Sequence, residues 1–154
     1  MFKELQLPQS ELIVAGEIYD TNLKNRLVAL ANQGNIKLNM KFIPDDEVQR
    51  YFNTADVVVC PYKAIENSST ILLSASFKKP TIFPDIGSLK HYPEELGFKY
   101  SHTSGDGLLS AMKKAYASKD LVTLGENSYK YVKKFDWEIL ARKMHDVYKD
   151  VNSG

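Results

Sequence analysis

The sequence predicts an α/β domain with helices on both faces of a mostly parallel sheet, and two observations lead to this prediction. Short apolar runs of strand length alternate with helical segments along the chain, which is the pattern of successive βαβ units. Residues 56–87 contain one such unit complete: a buried strand, a polar turn, a helix and a second buried strand. In proteins of this class, ligands usually bind at the carboxyl ends of the strands.

Length and composition indicate one globular domain, residues 1–154. Of the 154 residues, 44% are hydrophobic and 25% are charged, which is enough for a real hydrophobic core. The net charge of +1 gives no argument for a nucleic-acid partner. The single cysteine, Cys60, excludes an internal disulfide and a cysteine-based zinc site. Because the chain shows no signal-peptide core and no membrane-length apolar run, we expect a cytoplasmic location.

The first 43 residues are expected to form a helix end, a turn at Pro8, and then two strands around one helix. Residues 11–16 are a short apolar run that ends in glycine, as a buried strand does. Residues 21–33 carry leucines at helical spacing, and Gly34 is the expected C-cap. Residues 35–43 alternate apolar and polar side chains, which predicts a strand.

The middle of the chain is expected to continue with a short helix, a strand, a longer helix and another strand. Pro44 precedes three carboxylates at a helix start, where the helix dipole favours negative charge. Residues 57–60 are a continuous apolar run, which predicts a strand covered on both faces. Short polar side chains at residues 66–69 precede an apolar helical run that ends at Pro80. Residues 81–83 then restart a strand.

The last third is expected to be mainly helical. Residues 88–97 are predicted to form a loop with a helical turn, followed by a short edge strand at residues 98–100. Helices are predicted at residues 108–117, 121–135 and 138–151. Three side chains of the first of these are expected to point inward: Leu109, Met112 and Tyr116. The last helix is predicted to carry one apolar face, made of Leu140, Ala141, Met144, Val147 and Tyr148.

The polar turn at residues 66–70 is the strongest candidate for a binding site. Successive backbone N–H groups at a helix start attract a phosphate or diphosphate, and Glu66 would accept hydrogen bonds from sugar hydroxyls. The alternative is plain N-capping, with Glu66 solvated. Near the same edge of the predicted sheet, Ile43, Pro44 and Tyr62 follow strand ends. Backbone groups there would hold a base or would simply form ordinary strand–helix turns.

Other candidate residues have simpler interpretations. The histidines His91, His102 and His145 lack metal-ligand spacing, so we interpret them as surface or satisfied side chains. Cys60 is interpreted as a small core residue, because no base adjoins it in the sequence. Lysines and aromatic residues between positions 113 and 143 suggest a basic face for lipid or nucleic acid, but interspersed acidic residues favour a solvated surface. No glycine-rich phosphate motif of the dinucleotide or Walker type is present.

Four landmarks occur together in this chain: IVAG at a strand end, IPDDEVQRYFNTADVVVCPY before and through a buried strand, ENSSTILLSASFKKPTIFPDIG, and the late element FDWEILARKMHDVY. Together they resemble the C-terminal, donor-binding domain of GT-B glycosyltransferases, in the group 1 retaining family that uses nucleotide sugars. The resemblance covers most of the chain. It implies a Rossmann-like three-layer domain that forms the C-terminal half of such an enzyme.

The resemblance implies roles for the polar turn. Glu66 corresponds to the first glutamate of the family's donor motif, which contacts the transferred sugar, and is therefore the catalytic candidate. Asn67, Ser68 and Ser69 replace the usual Gly-Phe-Gly. The backbone N–H groups of Ser68, Ser69 and Thr70 would face the diphosphate. No metal and no cofactor are expected, because in this family protein groups and the helix dipole offset the diphosphate charge.

The rest of the donor site follows from the same resemblance. Ile43, Pro44 and Tyr62 are expected to border the nucleotide. The family's second glutamate, which binds the ribose hydroxyls, is Ser74 here, and a serine forgoes the charge-assisted strength of a carboxylate. The family's N-terminal acceptor domain is absent, and so is the loop whose arginine and lysine clamp the diphosphate.

The family's first strand is also absent, and this has a structural consequence. In the family's sheet order, that strand lies between the strands predicted at residues 11–16 and 56–60. Leaving it out would expose unpaired backbone on both neighbours. We therefore predict either direct pairing of these two strands or pairing supplied by another chain.

Two functions are expected from these features. The first is the donor-binding domain of a hexosyltransferase, which moves a hexosyl unit from a nucleoside-diphosphate sugar to a glycan or lipid-linked acceptor in polysaccharide or glycolipid biosynthesis. This chain alone would be inactive. The alternative is a non-catalytic Rossmann-like module that binds a nucleotide or a protein. Expected partners are the donor, the missing acceptor domain, a second copy through exposed strands and, through a lipid-linked acceptor, the inner membrane face. Nucleic acid is not expected.

Overall fold

The computed structural model describes residues 7–32 and 34–152, and strands and helices alternate along them as predicted. The strands are β1 (Leu12–Ala15), β2 (Ile36–Asn39), β3 (Val58–Val59), β4 (Thr81–Pro84) and β5 (Gly97–Tyr100). The helices are α1 (Thr21–Ala31), α2 (Asp45–Thr54), α3 (Ser69–Ser76), α4 (Gly107–Ala117), α5 (Leu121–Val132) and α6 (Trp137–Asn152). Short 3-10 helices span Gly87–His91, Glu94–Leu96 and Lys133–Phe135.

Side chains and backbone geometry fix the helix starts. The carboxylate of Asp20 accepts hydrogen bonds from the amides of Asn22 at 2.8 Å and Leu23 at 3.1 Å, which caps α1. Pro44 is the N-cap of α2, one position before the first helical residue, and three carboxylates follow it in the first turn. Ser68 caps α3, so the polar turn ends in a serine N-cap as predicted. These caps confirm the helix starts that the polar residues indicated.

Several boundaries differ from the prediction. The predicted C-cap Gly34 is wrong, because Asn32 stays in the right-handed helical region and ends α1, its N–H bonded to the helix carbonyls of Val28 and Leu30. The strand predicted at residues 35–43 is only four residues long. The turn at Pro8 is confirmed, whereas the helix end predicted before it lies outside the described residues. Tyr116 does not point inward. It is 49% exposed, and its hydroxyl donates to the carbonyl of Pro8 at 3.0 Å.

All strand pairs are parallel, but the strands form two separate sheets. β1 pairs with β2, and β4 lies between β3 and β5 in a three-stranded sheet. The predicted direct pairing of β1 with β3 is therefore wrong. Each of these strands uses one edge for its own sheet, and no strand among the described residues pairs with its other edge. Pairing by another chain stays a prediction.

The buried core lies on both faces of the three-stranded sheet. On one face, Phe83 and Cys60 pack with residues of α3 and the 3-10 helices, including Ile71, Leu89 and Leu96. On the other face, Ile82 packs against small and flexible side chains of α4. The three-stranded part is thus a three-layer α/β/α arrangement, with the layers predicted from the sequence. By contrast, none of the described residues from 7 to 57 is buried.

Close backbone packing joins α5 to the end of α3. A Cβ added to Gly125 would lie 2.0 Å from the carbonyl oxygen of Lys78, so only glycine fits this crossing. The α2 helix reaches the same region through Phe52, whose ring stacks on that of Phe77 at 5.0 Å between centroids. The ammonium of Lys79 also donates to the carbonyl of Asn53 at 3.3 Å. These contacts place α2 beside the helix that carries the candidate site.

The last helix, α6, projects an apolar face without burying it. Trp137 is 86% exposed, and the same helix exposes further large apolar side chains. These are Met144, Val147, Tyr148 and Val151. The predicted apolar face therefore exists, but its cover is not among the residues that the structure describes. No described helix is both long and apolar enough to cross a membrane.

Candidate functional site

The candidate site lies where the strands of the three-stranded sheet end. Because β3, β4 and β5 are parallel, their carboxyl ends meet at one edge of that sheet. The segment after β3 leads through Tyr62 and Glu66 to the start of α3, and the segment after β4 begins at Asp85. Hydrogen bonds join these segments to one another and to the segment after β5. The geometry is that of a ligand-binding edge in an α/β protein.

The start of α3 combines a serine N-cap with backbone N–H groups that have no acceptor in the described part of the chain. The Ser68 hydroxyl oxygen accepts a hydrogen bond from the amide of Ile71 at 3.4 Å. Among the residues that the structure describes, the backbone N–H groups of Ser69 and Thr70 have no hydrogen-bond acceptor. Such groups carry the positive end of the helix dipole and attract an anion. Capping and anion binding are therefore compatible here, since they use different groups.

Ser68 itself is enclosed by two tyrosines. It is 4% exposed, and its hydroxyl lies 3.0 Å from that of Tyr62. Burial raises the pKa of Tyr92, and a hydrogen bond from the Ser68 backbone opposes that rise. Ser69, by contrast, is exposed, and Thr70 is half-buried. Ser68 is therefore the most enclosed of the three residues assigned to the diphosphate.

Glu66 has a fixed backbone and an exposed side chain. Its carbonyl accepts a hydrogen bond from the amide of Ser88 at 2.9 Å, and the Ser88 hydroxyl bonds the same oxygen. Asn67, the next residue, is also exposed. A carboxylate held this way is available to hydrogen-bond a ligand hydroxyl without first ordering its backbone.

Ser74 lies inside the protein. It has 0% exposure, and its hydroxyl donates to the carbonyl of Lys79 at 2.8 Å. This bond closes the end of α3, together with that from the Lys79 amide to the Ser74 carbonyl at 3.0 Å. The hydroxyl at the position of the family's ribose-binding glutamate is therefore engaged within the fold, and a ribose contact from Ser74 stays only a prediction.

Ile43 and Pro44 follow a strand of a different sheet from the one that Tyr62 follows. They follow β2 in the two-stranded sheet, where Ile43 is half-buried and Pro44 is exposed. Tyr62 follows β3 and contacts Ser68 at the start of α3. The structure therefore brings Tyr62 to the polar turn, whereas a role of Ile43 and Pro44 at this site stays a prediction.

The structure also tests the simpler interpretations. Cys60 is 3% exposed, which confirms it as a core residue, and burial raises the pKa of its thiol. His102 pairs with Asp85, so it is a satisfied histidine as interpreted. No three histidine, cysteine, aspartate or glutamate side chains of the described residues lie close enough together to hold a metal ion.

The sequence predicts a turn after β4, but it did not reveal two contacts of that turn, the Asp85–His102 pair and the hydrogen bonds from Ser88 to the Glu66 carbonyl. The carboxylate of Asp85 accepts the His102 amide at 2.8 Å, and the His102 Nδ1 lies 2.7 Å from the same oxygen. These donors hold the pKa of Asp85 below its usual value. The one available signal was the Pro-Asp-x-Gly turn after β4, whereas nothing in the sequence linked Asp85 to a histidine 17 residues away.

Solved glycosyltransferase structures share this fold. Sucrose-phosphate synthase from Thermosynechococcus elongatus matches 99% of this chain over 41% of its own, with a TM-score of 0.78 and 22% identity. The catalytic domain of starch synthase IV from Arabidopsis thaliana, bound to ADP and acarbose, matches 99% over 34% of its own, at a TM-score of 0.76 and 14% identity. A glycosyltransferase from Rickettsia africae matches 97% of this chain over 42% of its own, with a TM-score of 0.73 and 19% identity. The chain therefore has the fold of the C-terminal Rossmann-like half of GT-B glycosyltransferases.

Two curated proteins are similar to this chain in sequence. GDP-mannose:glycolipid 4-beta-D-mannosyltransferase from Xanthomonas campestris pv. campestris is 26% identical over 117 residues, which covers 73% of this chain and 34% of the relative. A second sequence with the same description matches over the same shares. The chain thus spans about a third of the length of the curated relatives it matches. No protein-family model matches the chain.

Proposed function

We propose that this chain is the donor-binding half of a retaining glycosyltransferase that transfers a hexosyl unit from a nucleoside-diphosphate sugar. The observation that carries the proposal is the exposed Glu66 on an anchored backbone, next to the free amides of Ser69 and Thr70. A carboxylate and an anion-binding helix start are the two groups that recognition of a sugar diphosphate needs. The likeness to glycosyltransferases in fold and sequence supports the same function.

In the proposed complex, Glu66 accepts hydrogen bonds from hydroxyls of the transferred sugar. The amides of Ser69 and Thr70 bind the diphosphate, and the α3 dipole stabilises negative charge that develops on it as the glycosidic bond breaks. Asn67 and Tyr62 border this turn, and Ile43 and Pro44 border the base. The protein groups carry this stabilisation, so the proposal includes no metal and no cofactor.

The curated relatives suggest a donor and an acceptor. Their printed description names GDP-mannose and a glycolipid. We propose that this chain takes a GDP-hexose, and that the acceptor is a glycan or a lipid-linked saccharide of polysaccharide or glycolipid biosynthesis. Transfer to a lipid-linked acceptor would place the protein in the cytoplasm at the inner face of the membrane.

A separate acceptor domain completes the proposed enzyme. Relatives about three times as long as the matched region leave room for such a domain, and α6 offers an exposed apolar face that starts at Trp137. Burying an aromatic side chain of this size removes roughly 150–250 Å² from water. The open edges of β1 and β3 would accept a strand from that domain or from a second copy. This chain alone is proposed to bind the donor without transferring it.

Calorimetric titration with GDP and GDP-mannose tests the proposal. We expect weak binding of GDP, tighter binding of GDP-mannose, and loss of only the sugar-dependent gain in Glu66→Ala. Glu47→Ala is a control, since it changes a carboxylate in the first turn of α2. If neither compound binds, or if Glu66→Ala leaves the gain intact, the donor-site proposal is wrong. The non-catalytic module would then be the better account. Efficient transfer by this chain alone would contradict its proposed inactivity.

A further inference from the structure

The turn after β4 is hydrogen-bonded to the backbone of Glu66, the candidate catalytic residue. Ser88 bonds the carbonyl of Glu66 twice, through its amide at 2.9 Å and through its hydroxyl. Gly87 brings the two segments close enough for this, since a Cβ at its position would lie 2.1 Å from the carbonyl oxygen of Ile65. Its φ of +51° is a left-handed conformation that glycine adopts without strain. Glu66, which lies outside α3, is thus held by a neighbouring segment.

The turn after β4 is itself hydrogen-bonded to the end of β5. The amide of Asp85 donates to the carbonyl of Tyr100 at 2.9 Å, which extends the β4–β5 pairing by one bond. Beyond it, the Asp85 carboxylate accepts the amide of His102 at 2.8 Å and lies 2.7 Å from the imidazole Nδ1. Hydrogen bonds that involve a carboxylate are stronger than neutral ones. The position of Asp85, two residues before Gly87, is therefore fixed by β5.

These contacts form one continuous path from β5 to Glu66. It runs from His102 to Asp85, along the backbone to Ser88, and from Ser88 to the Glu66 carbonyl. We propose that Asp85, His102 and Ser88 are positioning residues that hold Glu66 where a donor sugar meets its carboxylate. This inference rests on the proposed function, in which Glu66 touches the sugar.

The path explains why loss of the Ser88 contact would weaken the sugar contact more than the diphosphate contact. The amides of Ser69 and Thr70 belong to α3. The N-cap of this helix is Ser68, whose hydroxyl forms a hydrogen bond with that of Tyr62. Glu66 lies outside the helix, and the bonds to its carbonyl come from Ser88. Loosening Ser88 should therefore move the carboxylate while the helix amides stay in place. Small displacements of a positioned group are enough to weaken its contact with a ligand.

The Ser88→Ala variant tests the proposal with a matched control. It removes one bond from a serine hydroxyl to a backbone carbonyl and keeps the Ser88 amide. Ser76→Ala removes the same kind of bond, from Ser76 to the Leu72 carbonyl at 3.1 Å, on an exposed face of α3. For Ser88→Ala we expect a roughly fivefold weaker affinity for GDP-mannose and an unchanged affinity for GDP. Ser76→Ala should leave both affinities unchanged, and Asp85→Asn should change them in the same sense as Ser88→Ala.

Amide hydrogen exchange in the ligand-free protein gives a second readout. We expect faster exchange of the residue 88 amide, which donates to the Glu66 carbonyl, in Ser88→Ala, with little change within α3 and none of this effect in Ser76→Ala. Equal losses of GDP and GDP-mannose affinity, or unchanged affinity and exchange, would overturn the inference. If the unaltered protein binds neither compound, the proposed function fails and the sugar role of the path fails with it. Faster exchange of the residue 88 amide would still show that the Ser88 hydroxyl holds the two segments together.

Discussion

At the scale of single residues, Ser74 has a structural role at a position where the resemblance implies a binding role. The resemblance places a ribose-binding carboxylate at this position, yet the serine has no exposed surface and bonds the Lys79 carbonyl. The small hydroxyl fits this enclosed position and closes the end of α3 through its hydrogen bond. The serine is thus explained by the local packing, without a ligand.

Replacing Ser74 by alanine tests this interpretation. The variant loses one buried hydrogen bond, so we expect the free energy of unfolding to fall by about 1 kcal/mol. Its affinity for GDP should equal that of the unaltered protein. Urea denaturation and calorimetry measure the two quantities. A drop in GDP affinity of more than threefold, with the fold retained, would restore the ribose contact that the sequence suggested.

Thr81 has a buried hydroxyl that the structure leaves without a partner. It begins β4, has 0% exposure, and finds no hydrogen-bond acceptor or donor among the described residues. Thr81→Val replaces the hydroxyl by a methyl group of similar size and removes this unsatisfied group. We expect stabilisation by about 1 kcal/mol, measured by urea denaturation. A destabilised variant would show that the hydroxyl has a partner after all.

The Asp85 carboxylate makes stability depend on acid. Donation from His102 lowers its pKa below the usual 3.8, so the unfolded chain binds more protons than the folded one between these two values. This contribution is present above the unfolded pKa and is lost as the pH falls through the folded pKa. Asp85→Asn should therefore show a shallower fall in melting temperature between about pH 5 and pH 3. Parallel curves for the two proteins would contradict the assignment.

At the scale of elements, the sequence predicts most strands and helices because their signals are local. Period, polar caps and proline placed all five strands and six helices near their observed positions. Two local boundaries, the C-cap of α1 and the end of β2, differ from the prediction, and the other errors occur where tertiary contacts decide. Tyr116 follows the apolar spacing of α4, but its hydroxyl bonds Pro8, 108 residues earlier. The Asp85–His102 pair likewise joins the ends of two strands, and spacing along the chain carries no information about it.

The crossing of α5 over the end of α3 is a close backbone contact that glycine permits. In Gly125→Ala, the new Cβ would lie 2.0 Å from the Lys78 carbonyl oxygen. We expect a loss of about 2 kcal/mol in unfolding free energy from overpacking, although alanine favours a helix by roughly 1 kcal/mol.

Gly105→Ala is the matched control for that crossing. A Cβ at Gly105 would meet no atom within 4 Å. Its melting temperature should change little, whereas that of Gly125→Ala should fall by several degrees. Equal melting temperatures in the two variants would contradict the described packing of α5 on α3.

At the scale of the whole molecule, the two halves of the chain differ in how much they bury. The three-stranded sheet has cores on both faces, whereas none of the described residues from 7 to 57 is buried. The sequence resemblance predicted an open position between β1 and β3, and the structure shows two sheets instead of one. It did not predict whether the two strands would close that position, because pairing depends on the geometry of both sheets. The open edges and the apolar face of α6 are what a part of a larger assembly would present.

The candidate site lies in the well-packed half of the molecule. Much of it could be predicted from the sequence because its main residues are close together in the chain. The polar turn, its serine cap and Glu66 belong to one local segment with a clear pattern. The parts that hold Glu66 come from the turns after β4 and β5, so they became visible only when the fold brought them together. The central claim is that this turn binds a sugar diphosphate through Glu66 and the start of α3.

Backbone NMR of the chain during titration with GDP-mannose tests that claim most directly. We expect the largest shift changes at the amides of Ser69 and Thr70, with Glu66 and Asn67 also affected, because a bound diphosphate accepts hydrogen bonds from the helix start. GDP should shift Ser69 and Thr70 in the same way while affecting Glu66 less. Absence of shifts at residues 66–70 with either compound at millimolar concentration would contradict the claim.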